Sequence, residues 1–186
     1  MIRFVKFAPC LLFVTACAHT DSGEDLTTSD PAEIAKIKEH LEPFVRATTW
    51  NGDRWKVVGM SDGFPVTEGI GPWEISVQPT DKDGVFSLRG IRVGKECTVE
   101  LDTNRGVLSI DGTSFVGKPL TGKSCIVRGA PFKGAVFECN QLNISGSAAI
   151  LVLDDGRLLF DFYKVRMHGG RGEYGILSSK KVEGSP

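Results

Sequence analysis

Gly117 to Ser124 reads "GKPLTGKS" and so matches the pattern G-x-x-x-x-G-K-[ST]. Such a loop holds phosphates only when a helix follows directly, because backbone N–H groups and the helix dipole must converge on the anion. Here "CIVRGAP" follows, with β-branched residues, a Gly and a Pro. The spacing therefore predicts a loop between strands and no nucleotide chemistry. The histidines are no better placed for catalysis. His19 lies in a polar leader, His40 on a predicted helix, and His168 in the Gly-rich "MHGGRGE". No G-x-S-x-G elbow and no H-E-x-x-H occurs. A dispersed Ser/His/Asp or paired-carboxylate site is the one catalytic arrangement left open, because such groups meet in space rather than in sequence. The expectation is a chain that is not an enzyme and takes no cofactor. Asn143-Ile144-Ser145 is a glycosylation sequon, relevant only to a eukaryotic secretory route.

Charge offers a second kind of site. The whole chain carries a net −1, which gives no case for nucleic-acid binding. Residues 157–181 depart from that balance: Arg157, Lys164, Arg166, Arg171, Lys180 and Lys181 stand against Asp161 and Glu173. Lys164, Arg166 and His168 alternate along one strand face. With Arg171 they are candidate contacts for an anionic partner, such as an envelope phosphate or an acidic protein surface. An ordinary solvated strand face is the competing reading.

The cysteines bear on location. Arg3 and Lys6 precede "FAPCLLFV", an apolar run of eight, and small residues follow. This is the layout of a secretory signal, too short to span a membrane. Val14-Thr15-Ala16-Cys17 resembles the lipobox of bacterial lipoproteins, which implies removal of residues 1–16 and lipid attachment (acyl chains such as palmitate) at Cys17. Ala16-Cys17-Ala18 also fits an A-x-A cut before His19. Cys10 is a poorer acceptor, with Pro9 before it and too short an apolar run. The lipoprotein resemblance, with Ala18 rather than aspartate in second place, implies sorting to the outer membrane of a Gram-negative envelope, facing the periplasm or the surface. Each buried CH₂ of an acyl chain adds about 0.8 kcal/mol, so several chains hold a protein firmly. "AHTDSGEDLTTSD" then reads as an acidic tether whose thirteen residues reach at most about 40 Å.

Three cysteines remain beyond the tether: Cys97, Cys125 and Cys139. An exported location permits a disulfide, and an odd count leaves one thiol over. Cys97–Cys125 is the favoured pair. Cys125 and Cys139 flank one predicted hairpin, whose turn near 129–132 does not set them opposite. Such a bridge would contribute about 3–4 kcal/mol on the loop-entropy model. Without a paired C-x-x-C or nearby histidines, no metal site is expected.

These residues need elements to position them. "SDPAEIAKIKEHLEPFVRATTW" starts as a helix, with Asp30 as cap, Pro31 in the first turn and Glu33 three residues after the cap. Ile34, Ile37, Leu41 and Phe44 share one face, with Val45 beside them. Pro43 predicts an end or a kink. From Trp50 the pattern becomes short strands punctuated by Asx-Gly pairs at 51–52, 62–63, 83–84, 111–112 and 155–156. Ten candidate strands follow: "RWKVVGM", "WEISVQ", "VFSLRG", "CTVEL", "GVLSI", "SCIVRG", "AVFEC", "AAILVLD", "RLLFDFYKV" and "YGILSS". The fold class predicted is mainly β, an antiparallel sandwich or small barrel with one N-terminal helix. The divisions expected are a signal at 1–16, a tether at 17–30, an amphipathic helix at 31–48, the β-domain at 49–181 and a tail at 182–186.

"RWKVVGMSDGFPV", Cys97, Cys125 and "AAILVLDDGRLLFDF" together are similar to the META/HslJ-type domain of envelope lipoproteins, over residues 54–162. "GKECT" stands where that family has Gly-Cys-Asn. "CTVEL", a second cysteine and "LVLDDGRLLFDF" also resemble the small barrel of periplasmic metalloprotease inhibitors, without its tryptophan between them. Both resemblances imply a β-domain with no catalytic machinery. The function expected is a lipid-anchored envelope protein whose β-domain binds a partner or ligand, or supports the envelope. A periplasmic protease or hydrolase inhibitor, and an enzyme with a dispersed site, are the alternatives. An inhibitor calls for a protruding loop or arm, an enzyme for a pocket of convergent ionisable groups, and a binding module for an exposed apolar or basic patch.

Overall fold

The computed structural model describes residues 30–61, 64–93, 95–124, 126–127, 129–141, 144–166 and 169–179. The signal and most of the tether expected at the N-terminus lie outside these residues, as does the C-terminal tail.

Helix α1 spans Pro31–Arg46. Asp30 caps it by accepting the N–H of Ala32 at 2.9 Å, and Pro31 loses nothing at a position whose N–H has no partner inside the helix. Pro43 does not end the helix, which continues three residues further. Burial explains this. Phe44 is fully buried, and its carbonyl accepts Trp50 Nε1–H at 3.1 Å, so the last turn is tied to the next strand. Ile37, Leu41 and Phe44 form the buried stripe, and Ile34 and Val45 flank it half-buried.

The rest of the described chain is strand and turn: β1 (Thr49–Ser61), β2 (Phe64–Pro79), β3 (Val85–Arg89), β4 (Arg92–Val93), β5 (Lys95–Glu96), β6 (Val99–Asp102), β7 (Val107–Ile110), β8 (Thr113–Lys123), β9 (Pro131–Gln141), β10 (Ile144–Leu153), β11 (Leu158–Arg166) and β12 (Gly169–Ser179). Ten of them close into an antiparallel barrel in the order β1-β12-β11-β10-β9-β8-β7-β6-β3-β2, and β4–β5 form a separate two-stranded ribbon. The small barrel, rather than the sandwich, is the fold. Closure removes the sheet edges that a sandwich must protect.

Two segments differ from the sequence expectation. Gly117–Lys123 reads as a loop in the sequence and is the second half of β8, paired from Gly117↔Phe137 to Lys123↔Pro131. Strand β7 pairs with β8 only up to Val116, so Pro119 has no neighbour on that side that needs its missing N–H. Conversely "SCIVRG" is a turn in its described residues. Ser124 Oγ accepts the N–H of Val127 at 3.0 Å, and Gly129 has φ 71°, which local turn chemistry favours over a ladder. Of the Asx-Gly pairs, Asp111 (φ 48°) and Gly112 (φ 79°) make the β7–β8 hairpin turn, with both central residues at positive φ. Asp83-Gly84 and Asp155-Gly156 also turn the chain. Asn51-Gly52 instead lies inside β1, and Asp62-Gly63 is outside the described residues.

The helix closes one end of the barrel. Lys38 Nζ donates to Asn104 Oδ1 in the β6–β7 turn at 3.0 Å, and His40 Nδ1 lies 3.0 Å from the Gly134 carbonyl on β9. The buried stripe of α1 joins Trp50, Leu108, Phe137, Ile150 and Phe160 in one apolar core. Gly117 makes the contact possible, since a Cβ there would lie 3.1 Å from Ile37 Cδ1 and 2.9 Å from Phe137 Cε1. The opposite end holds the β1–β2, β9–β10 and β11–β12 hairpin ends.

Period-2 alternation puts one face of each strand inward. Strands β10 and β11 break the rule by burying both faces. Ile150, Leu158 and Phe160 point into the barrel core, while Leu151 and Leu159 belong to a second cluster with Tyr174. Cys97 and Cys139 are buried in the main core, and among the described residues no disulfide is formed. The expected Cys97–Cys125 pair involves Cys125, which lies outside the described residues.

Candidate functional site

A charged side chain, Arg54, stands on the inward face of the barrel wall near its helix-free end. Trp50, Gly52 and Arg54 alternate inward along β1, and the cross-strand partner of Arg54 on β12 is Gly175. The guanidinium therefore rests over residues without bulk. Its carbon lies 5.7 Å from the centroid of the Trp73 ring. Trp73 is itself fixed twice: Nε1–H donates to the Gly90 carbonyl at 2.8 Å, and Phe160 meets the ring edge-on at 5.4 Å. Glycine at 175 is required, because a Cβ there would be 2.5 Å from Trp73 Cε3.

Arg54 Nη1 is 3.7 Å from Glu173 Oε2, an ion pair beyond hydrogen-bond reach. The side chains are 19% and 25% exposed, so the pair sits at the mouth and is reached by solvent from one side. Arg54 Nε is buried and has no hydrogen-bond partner among the described residues. Lys56 follows on the same strand face, opposite Glu173 on one side and Glu68 on the other. Asn51 Nδ2 is a second buried donor without a partner, farther down β1 beside Ser178 and Glu74.

Of the predicted anion contacts, the register places Lys164, Arg166 and Arg171 at one end of the β11–β12 ladder. Lys164 and Arg171 are brought directly opposite each other across β11 and β12, two pairs on from Phe162↔Glu173 toward the hairpin end. Arg166 pairs with Gly169 at the end of the same ladder. His168 lies outside the described residues, as do Lys180 and Lys181. Arg157 is at the other end of β11 and closes a local pair with Asp155, Nη2 to Oδ2 at 2.7 Å, which holds the Asp155 carboxyl below its usual range. Cys17 and Cys125 are outside the described residues, and Cys97 is a core residue. Sequence reading missed Arg54, Trp73 and Glu173. The signal present was the "RWK" run, with cations at positions in phase with the core residue Trp50.

A second cluster lies on the outer wall. Trp55 stacks on Tyr174 at 5.5 Å, and Leu151, Leu159 and Ile176 continue the strip, with Ile126 and Phe132 packed on it. Asp161 lies in this face, paired with Ala149 on one side and Tyr174 on the other. Burial pushes its carboxyl up to about 6, against a weaker opposing contribution from the Phe162 N–H.

Among the described residues no group of three or more His, Cys, Asp and Glu side chains is arranged to hold a metal, and no helix is long and apolar enough to cross a membrane. No family model, curated protein or solved structure matches the chain.

Proposed function

We propose that this chain is a binding protein of the cell envelope, held at the outer membrane by a lipid on Cys17 and facing the periplasm or the surface, with a β-barrel that engages a partner without catalysing a reaction. The observation that carries the reading is the β1–β2 hairpin arm. Strand β1 pairs with β12 only as far as Lys56, and β3 pairs with β2 only from Ser76 onward. Among the described residues the hairpin between them pairs only with itself. Val58, Val66 and Ile70, three of the four large apolar side chains exposed among the described residues, lie on this arm. Apolar side chains exposed on one self-paired element supply a surface for a partner to cover.

Crosslinking in the native envelope, followed by identification of the captured protein, tests the binding reading. A Val58→Ser/Val66→Ser/Ile70→Ser variant with an unchanged circular dichroism spectrum is expected to lose the captured partner. Capture that is indifferent to these substitutions would refute the arm as the contact. Intact mass tests the anchor, since the membrane-extracted chain must exceed the peptide from Cys17 by the mass of its acyl groups. A soluble chain starting at His19 would overturn it.

The same arm also favours the inhibitor reading, because a self-paired hairpin with apolar side chains is shaped to enter a cleft. Stoichiometric inhibition of an envelope protease, abolished by the same triple substitution, would select that reading over simple tethering.

A further inference from the structure

We infer that the barrel mouth is a ligand site for a monocarboxylate carrying an apolar body, with Arg54 as its anchor. The argument starts from an unbalanced guanidinium. Arginine has five N–H donors, and a charged donor buried without an acceptor costs more than an ordinary unmade hydrogen bond. Such orphans are rare in folded proteins and point to a missing water, ion or ligand. Here Nη1 faces Glu173, so the opposite edge, formed by Nε and Nη2, is the one that carries the orphan. Two parallel N–H groups on that edge match the two oxygens of a carboxylate.

The surroundings choose among oxyanions. Trp73, with Phe160 edge-on to it, is the apolar neighbour of the guanidinium. Glu173, near Nη1, places a negative charge that a dianionic phosphate would have to meet, whereas a monoanion meets half the repulsion. Lys56 on β1 stands opposite that carboxylate and offsets it, and Glu68 opposes Lys56 from β2. The Arg54 side chain is 19% exposed, so the anchor is not sealed inside the core.

Octanoate titrated into the full chain, followed by tryptophan fluorescence and calorimetry, tests the site, because Trp73 lies against the anchor. Saturable binding is expected, with acetate weaker because it lacks the apolar body, and with inorganic phosphate weaker because of Glu173. Arg54→Gln is expected to weaken octanoate about tenfold or more. Glu173→Gln is expected to tighten it several-fold, a change of opposite sign that loss of folding cannot imitate. Absence of octanoate binding at millimolar concentration, an Arg54→Gln variant that binds as the parent does, acetate as tight as octanoate, or phosphate tighter than octanoate would each overturn the inference. Loss of the arm's partner after the triple substitution bears on none of these outcomes, so the two readings fail separately.

Discussion

Replacing Asp161 by Asn should stabilise the protein at neutral pH and leave it unchanged in acid. The carboxyl sits on the outer wall between Ala149 and Tyr174, where burial raises its folded-state value from 3.8 to about 6. A carboxyl with a raised folded value binds its proton more tightly in the folded state. Its stability contribution is therefore fully present below the unfolded value and is lost as pH rises through about 6. The gap is about two pK units, and each unit is worth about 1.4 kcal/mol, which sets a ceiling of about 3 kcal/mol on the penalty above pH 7. Asparagine has nearly the same shape, never ionises, and its Oδ1 still accepts the Phe162 N–H. The variant should gain about 2 kcal/mol at pH 7.5, or about 4–8 °C in Tm for a domain of this size. About half of that should remain at pH 5, and none at pH 3. Paired urea or thermal melts of the two proteins across that range cancel every other titrating group. A variant equal to the parent at all pH values, or less stable than it at pH 7.5, would refute the claim that an ionised Asp161 is poorly solvated in the fold.

Two packing predictions accompany the ligand and arm tests. Ile37→Ala should cost about 2–4 kcal/mol, because Ile37 is fully buried where α1 closes the barrel and the site is hemmed by Gly117 and Phe137; denaturant midpoints measure this, and a loss below about 1 kcal/mol would mean that the helix is not part of the core. Gly175→Ala should displace the Trp73 ring, since the new methyl would lie 2.5 Å from Cε3. Its expected cost is about 1–3 kcal/mol, with a shifted tryptophan emission.

Much of the architecture was written locally. Asp30 and Pro31 start the helix, its stripe at 37, 41 and 44 faces the core, and Asp111-Gly112 turns a hairpin, because caps, periodicity and positive φ are properties of a few neighbouring residues. Where local rules failed, long-range pairing had overridden them. Gly117–Lys123 reads as a loop and becomes strand because β9 supplies a ladder for it, and Pro43 is carried inside a helix whose last turn is held by Trp50.

The candidate site belongs almost wholly to the tertiary structure. Sequence alone carries the alternation that sends Arg54 to the same face as Trp50, and the basic excess from residue 157 onward. It could not say that Arg54 would meet Trp73 and Glu173, which lie 19 and 119 positions away. It also grouped Lys164, Arg166 and Arg171 with Arg157, which the fold sends to the opposite end of β11. Strand alternation fixes only the side on which a residue stands. The register between β1, β2 and β12 fixes its height in the barrel and its neighbours, and that register exists only once the sheet has closed.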